Sequence, residues 1–281
     1  MKLTILDDVA STNEIVKNAL REGKAEGLVV RARRQSGGYG RQGRIWDSPV
    51  GGLYMSLLLR PDVAGSGLST LSLVVGLAVQ RALEALAVPA ARDAIQLKWP
   101  NDIVYMPADC PRADEYRKLC GISMEACGGG VCVGIGINVF PPEIAQPVEG
   151  RNIPQYMADL MLSGAEGEGG ALTAAAFADT LEGRAQTDYR EAVIADVQRE
   201  VLARIMVSYG RWRELGFESS LPNYDAASFL NGRAVRIQNA AGDEVLEGVA
   251  ESVDARGRLL VRTADRVVPV SSGEAHVIPL P

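Results

Sequence analysis

Residues 34–49 read RQSGGYGRQGRIWDSP, a segment with four glycines, three arginines and no apolar period. On its N-terminal side GLVVRARR (27–34) alternates as a strand does, and on its C-terminal side GLYMSLLLR (52–60) reads as a second strand, so the segment is predicted to be a loop between two strands. Glycine lets backbone N–H groups approach a guest closely, and interleaved arginines offer charge-assisted, bidentate contacts to carboxylate or phosphate. The loop therefore points to an anion. It is not a P-loop, because Arg44 follows the last glycine where a lysine and a hydroxyl residue would stand, and no strand-loop-helix context surrounds it. Taken alone, a flexible hairpin with solvated arginines or an arginine-glycine nucleic-acid segment fits the same letters.

Composition narrows the choice. At 281 residues with 47% hydrophobic and 23% charged residues, the chain can bury a full core and is expected to hold more than one domain. A net charge of −6 argues against a protein whose main task is gripping nucleic acid, so any positive site must be local. No apolar run reaches the roughly 18 residues of a membrane span, and MKLTILDDVASTNE at the start lacks a secretory pattern. A cytoplasmic location without membrane attachment is expected. Cys110, Cys120, Cys127 and Cys132 form no C-x-x-C pair, and His276 is the sole histidine. Structural zinc and a serine-histidine-aspartate triad are thus poor readings. Of 29 basic residues only Lys2, Lys17, Lys24, Lys98 and Lys118 are lysines. A compact, titratable ammonium is not interchangeable with guanidinium, which makes Lys98 and Lys118 candidates for function.

Periodicity places these residues. LTIL (3–6) reads as a strand, and STNEIVKNALREG starts a helix with Ser11 or Thr12 as cap and Glu14 closing a capping box. Residues 68–88 form a long apolar helix packed on a sheet, IQLKWPNDIVYM (95–106) is strand, break, strand, and 118–140 is a hairpin around Gly128–Gly130. Both lysines are expected at strand starts, with 107–117 as a surface loop between them. Helices are predicted at about 154–163, 172–183 and 189–214, with SGAEGEGG (163–170) as a flexible connector. About five short strands follow Asp225 and suggest a small β-barrel.

STN (11–13), GYGRQGRIWDSPVGGLYMS (38–56), KWPND (98–102), KLCGISME (118–125) and VGIGINV (133–139) occur in this order. In combination they are highly specific, and the chain resembles the biotin protein ligases from about residue 8 to its C-terminus. The resemblance implies an α+β fold: a mixed, largely antiparallel sheet flanked by helices, class II synthetase-like, over 1–222, with an SH3-like β domain over 223–281. No helix-turn-helix segment precedes the catalytic motifs, which implies the monofunctional type. It also implies an enzyme that joins biotin to ATP with Mg2+, giving biotinyl-5′-AMP, and passes biotin to a lysine of a biotin carboxyl carrier protein, without nucleic acid and as a monomer or weak homodimer.

The same resemblance implies roles for single residues. Lys118, Arg41 and Arg44 would be catalytic. Ser11, Thr12, Asn13, Gln35, Gly38, Tyr39, Gly40, Arg41, Trp46, Lys118 and Gly121 would surround biotin. Arg41, Gly43, Arg44, Trp46, Lys98, Asn101 and Asn138 would surround ATP, and Asn101 with Asp102 would face magnesium. Tyr39 stands where the family usually has an arginine, which implies weaker retention of the intermediate. A lipoate-protein ligase, which shares the catalytic fold, and a non-catalytic biotin-binding homologue are the alternative readings.

Overall fold

The computed structural model describes residues 1–62, 65–107, 110, 114–143, 153–167, 170–239 and 241–278. Seven strands form the main sheet: β1 (Lys2–Val9), β2 (Leu28–Gln35), β3 (Leu53–Leu59), β4 (Ile95–Lys98), β5 (Asp102–Tyr105), β6 (Arg117–Cys127) and β7 (Gly130–Ile137). Their order is β1-β2-β3-β7-β6-β5-β4, and only β1 and β2 run parallel. Successive side chains on a strand face opposite ways, and β3 uses both faces. Leu53, Met55, Leu57 and Leu59 enter the large core, whereas Leu58 joins a smaller cluster with Val16, Ala19 and Leu20 of helix α1 (Thr12–Arg21).

The large core lies under α2 (Gly65–Leu86), which packs directly on α4 (Gly183–Leu215), with short α3 (Ala174–Ala178) against α4 and short α5 (Leu221–Ala226) against α2. Residues Gly67–Leu86 of α2 are apolar and long enough to cross a membrane by length and composition, yet most of that stretch is buried within this core. Its Thr70 accepts a hydrogen bond from Trp212 Nε1 of α4 at 3.0 Å. On α4 the buried Val193, Val197, Val201, Ile205, Tyr209 and Trp212 recur at helical spacing, the stripe a core-facing helix needs.

A second sheet of β10 (Ala234–Gln238), β11 (Glu244–Val253), β12 (Leu259–Arg262), β13 (Val267–Val270) and β14 (Glu274–Val277) is antiparallel throughout, in the order β13-β12-β11-β10-β14. The mixed sheet flanked by helices and the C-terminal β domain agree with the sequence reading. The turn between β11 and β12 abuts the turn after β4, where Trp99 Nε1 donates to Gly257 O at 3.0 Å, and Phe229 N, in the segment leading to β10, donates to Leu97 O of β4 at 2.7 Å.

Several local expectations were overturned. The segment read as a helix at 154–163 holds one 3-10 turn at Met157–Asp159, because its backbone bonds the ends of β6 and β7 instead: Gln155 N to Lys118 O and Met157 N to Asn138 O, each 2.9 Å. The supposed connector contributes β8 (Leu162–Gly167) and β9 (Gly170–Thr173), which pair with each other. Ser11 caps α1 in extended geometry without a side-chain bond, and Glu14 turns to Lys17 and Tyr39 rather than closing a capping box. Lys98 ends β4 rather than opening a strand. Much of 107–117 lies outside the described residues. We predict that Leu57→Ala, at a fully buried position in the middle of β3, lowers unfolding free energy by about 2–5 kcal/mol in urea titrations.

Candidate active site

The face of β6 and β7 opposite the large core is unusually small. Val131, Val133, Ile135 and Ile137 alternate into that core, leaving Gly134 and Gly136 on the other side, where they register with Ser123 and Gly121 of β6. Onto this floor the 36–48 loop lays Trp46. A Cβ at Gly121 or Gly136 would stand 2.7 or 2.6 Å from the indole, so glycine is required at both for the ring to lie flat on the sheet. Lys118 Nζ lies 5.2 Å from the ring centroid and bonds Asp102 Oδ1 at 2.9 Å. Asn138 Nδ2 donates to Lys118 O at 2.9 Å, which fixes the backbone that carries this lysine.

Further cations gather beside that pair. Arg41 donates to Asn101 Oδ1 at 3.1 Å, and Asn101 Nδ2 donates to Ile122 O at 2.8 Å, so the amide links the loop to β6. Arg44 pairs with Glu274 of β14, bringing the second sheet to the edge of the site. Lys98 is buried beside the Tyr116 ring, and burial pushes its amine down while Asp102 and Glu274 pull it back up. Burial likewise lowers Arg41, again with Asp102 and Glu274 opposing. Four basic residues thus surround two carboxylates, a surplus of positive charge suited to anionic guests. Glu274 responds strongly: His276, then Arg44 and Lys98, hold its carboxyl at about 2 against an ordinary 4.5, although partial burial works the other way.

At the far end the groups are polar and nearly neutral. Gln35 Oε1 accepts from Thr12 N at 2.9 Å and Thr12 Oγ1 at 3.1 Å, and Gln35 Nε2 donates to Ser48 at 2.9 Å, beneath Gly38. Thr12 and Ser56 share a hydrogen bond of 2.7 Å, and Ser56 donates to Asn13 Oδ1 at 2.6 Å. Asn13 Nδ2 reaches Ser123 at 3.1 Å and Glu125 at 3.3 Å. Its amide is therefore fully engaged with protein groups, over a glycine: a Cβ at Gly134 would lie 2.3 Å from Asn13 Oδ1.

Of the residues singled out in the sequence, Thr12, Gln35, Gly38, Trp46, Gly121, Lys118, Asp102, Asn101, Arg41, Lys98 and Asn138 converge on this floor and its rim. Tyr39 turns toward Lys17, Glu14 and Glu125, and Arg44 toward Glu274; Ser11 is buried beside the loop, while Gly40 and Gly43 shape it. Lys17, Ser56, Ser123, Glu125 and Glu274 were missed. Only the scarcity of lysine carried a signal for one of them. For a metal, Asp102 is tied to Lys118 and Asn101 to Arg41, and no three His, Cys, Asp or Glu residues gather among the described residues. One carboxylate and one amide oxygen suit a magnesium held mainly by phosphate and water, not a cage of protein ligands.

Comparison with known proteins accounts for this layout. Residues 6–140 match the Biotin/lipoate A/B protein ligase family, and residues 231–276 match the Biotin protein ligase C terminal domain. A biotin–(acetyl-CoA-carboxylase) ligase of Mycobacterium tuberculosis is 30% identical over 97% of the chain and 88% of its own length. The chain belongs to the biotin protein ligase family. The bifunctional ligase/repressor BirA of Escherichia coli is 26% identical over 97% of this family member and 73% of its own length. A solved biotin protein ligase from Aquifex aeolicus in complex with biotin and ATP superposes with a TM-score of 0.73 at 27% identity, covering 99% of both chains.

Two outcomes follow for this ligase-family chain. Gly136→Val should destabilise by about 1–3 kcal/mol through overpacking against Trp46, and by clearly less in a Trp46→Ala background. Additive urea midpoints would contradict the stacked floor. A carboxyl held low contributes stability that is complete above its ordinary range and is lost as pH falls toward its folded value. The stability gap between wild type and Glu274→Gln should thus be constant above about pH 5 and shrink between 4.5 and about 2; urea midpoints at pH 7 and pH 3 check this.

Proposed function

We propose that the chain joins biotin to ATP, releasing pyrophosphate, and transfers the biotinyl group from biotinyl-5′-AMP to a lysine of a biotin carboxyl carrier protein. The observation that carries this is the order of groups along the site: Thr12 and Gln35 at a polar end, the Trp46 indole over its glycine floor, then the amine of Lys118 with Asp102 at 2.9 Å. A ureido ring, an alkyl chain and a carboxylate follow the same order of chemistry. Relatives named as biotin ligases support the substrate, and one of them is solved with biotin and ATP.

In the first step a biotin carboxylate oxygen attacks the α-phosphorus of ATP and the bond to pyrophosphate breaks. Both partners are anions, and a unit charge pair about 4 Å apart near a protein surface is worth roughly 4 kcal/mol, so uncompensated repulsion would dominate the barrier. Lys118, seated at a strand start by its backbone bonds to Ile153 and Gln155, offsets the carboxylate side. Arg41, Arg44 and buried Lys98 offset the phosphate side, and exchanging the Arg44–Glu274 pair and the Arg41–Asn101 bond for phosphate oxygens orders the loop against water. Magnesium, arriving with the triphosphate, would neutralise further phosphate charge, with Asp102 and the Asn101 amide oxygen as its protein neighbours. In the second step the carrier's lysine amine attacks the acyl carbon, AMP leaves with the bonding pair, and the amine proton passes to solvent. No histidine is needed. The described cysteines are free of disulfides, which supports a reducing, cytoplasmic setting.

The test is a two-step assay of pyrophosphate release and carrier biotinylation, with lipoate as a parallel acid. Wild type should act on biotin, and Lys118→Ala and Arg41→Ala should each slow the first step by about 10²- to 10³-fold. Parental speed in Lys118→Ala, or a preference for lipoate, would overturn the reading.

A further inference from the structure

Lys17 is a charged residue on the buried side of α1, where its neighbours Val16, Ala19 and Leu20 are packed against the sheet. Its amine sits between Glu14 Oε1 at 2.6 Å and Glu125 Oε2 at 2.8 Å, with a side chain 13% exposed. It also donates to the Tyr39 hydroxyl at 2.8 Å and lies 5.4 Å from that ring's centroid. Burial by itself would lower the amine, yet the bonds to Glu125 and Glu14 hold it well above its ordinary value, so it stays an ammonium. Tyr39 has one hydroxyl proton and two carboxylate acceptors, Glu14 at 2.7 Å and Glu125 at 3.0 Å, and burial pushes its ionisation up to about 12. The hydroxyl is thus always a donor at neutral pH.

Glu125 reaches further than this cluster. The same Oε1 that faces Tyr39 accepts from Asn13 Nδ2 at 3.3 Å, and Asn13 continues through Ser56 to Thr12 and Gln35. One run of hydrogen bonds therefore joins the polar end of the site to the tip of the glycine loop. That loop folds on itself as a small hairpin, with Gly40 N donating to Arg44 O at 2.8 Å and Trp46 N to Gly38 O at 3.0 Å, while glycines stand at 37, 38, 40 and 43 and Gln42 lies at φ 59°, where a non-glycine residue is strained. Its other side-chain ties near the tip are the Arg41–Asn101 bond and the Arg44–Glu274 pair, both on the side away from α1.

We propose that Glu125 and Lys17 are positioning residues that act through Tyr39, holding the loop over the site and coupling its closure to the groups that read the polar end of the substrate. Tyr39 then keeps the intermediate by anchoring the loop, in a role that an arginine reaching the ligand would fill by charge. This inference rests on the ligase reading above. It identifies α1 and β6, not only the loop, as determinants of how long biotinyl-AMP is held.

The variants are Tyr39→Phe, Glu125→Gln and Lys17→Met, and Tyr39→Phe removes a single hydroxyl without changing the packing. Two rates are measured in each: tryptic cutting after Arg41 and Arg44, with and without biotin and ATP, and release of labelled biotinyl-AMP. Each variant should be cut and should release the intermediate roughly tenfold faster than wild type, the size of effect one charge-assisted hydrogen bond gives. Unchanged release with faster cutting would reduce the cluster to a structural brace and overturn the proposal, as would unchanged rates in both. A wild type that forms no biotinyl-AMP sinks the ligase reading instead, and equal cutting of wild type and Tyr39→Phe in that protein sinks the network independently.

Discussion

Along β7, the alternation of side chains between two faces is used to build opposite environments a few ångströms apart. Valine and isoleucine at 131, 133, 135 and 137 close the large core, while the intervening Cys132, Gly134 and Gly136 keep the other face low. Without that low face Trp46 has no seat, Asn13 cannot reach Ser123, and the loop carrying the arginines loses its resting surface. The same strand thus supplies cohesion on one side and an absence of bulk on the other, and the second is what admits a ligand-sized group.

Charge completes what shape begins. Lys118, Lys98, Arg41 and Arg44 are each held near Asp102 or Glu274, by an ion pair for Lys118 and Arg44 and through space for the other two. Such internal counterions limit the cost of collecting like charges before the substrates arrive, and they leave groups that are aimed already. Because Glu274 belongs to the second sheet, that sheet is part of the electrostatics of the site and not an appendage.

Much of this was legible in the chain. Alternating strands on either side of the glycine segment, the WPN break after Lys98 and the late run of short strands fixed the architecture, and unlike residues in a set order pointed to the site. What failed was local. The 154–163 stretch has helical composition, but its backbone groups complete strand ends that are far away in sequence, a tertiary demand no local pattern reveals. Ser11 and Glu14 spell a capping box, yet Lys17 and Tyr39 compete successfully for the carboxylate. Glu125 lies within KLCGISME with nothing in the local sequence to mark a role, since its partners Asn13, Lys17 and Tyr39 are brought to it only by the fold. Glu274 escaped notice for the same reason.

The three tryptophans differ in their surroundings in a way that has a practical result. Trp99 and Trp212 are nearly inaccessible, with their indole N–H groups bonded to Gly257 and Thr70, whereas Trp46 leaves its Nε1 without a partner and rests on two glycines beside a cation. Two of the chromophores are therefore shielded from solvent, and the third sits beside Lys118 at the end of the loop. The intrinsic ultraviolet emission of the protein should consequently change mainly through that one position, making occupancy of the cleft readable by light without any attached dye.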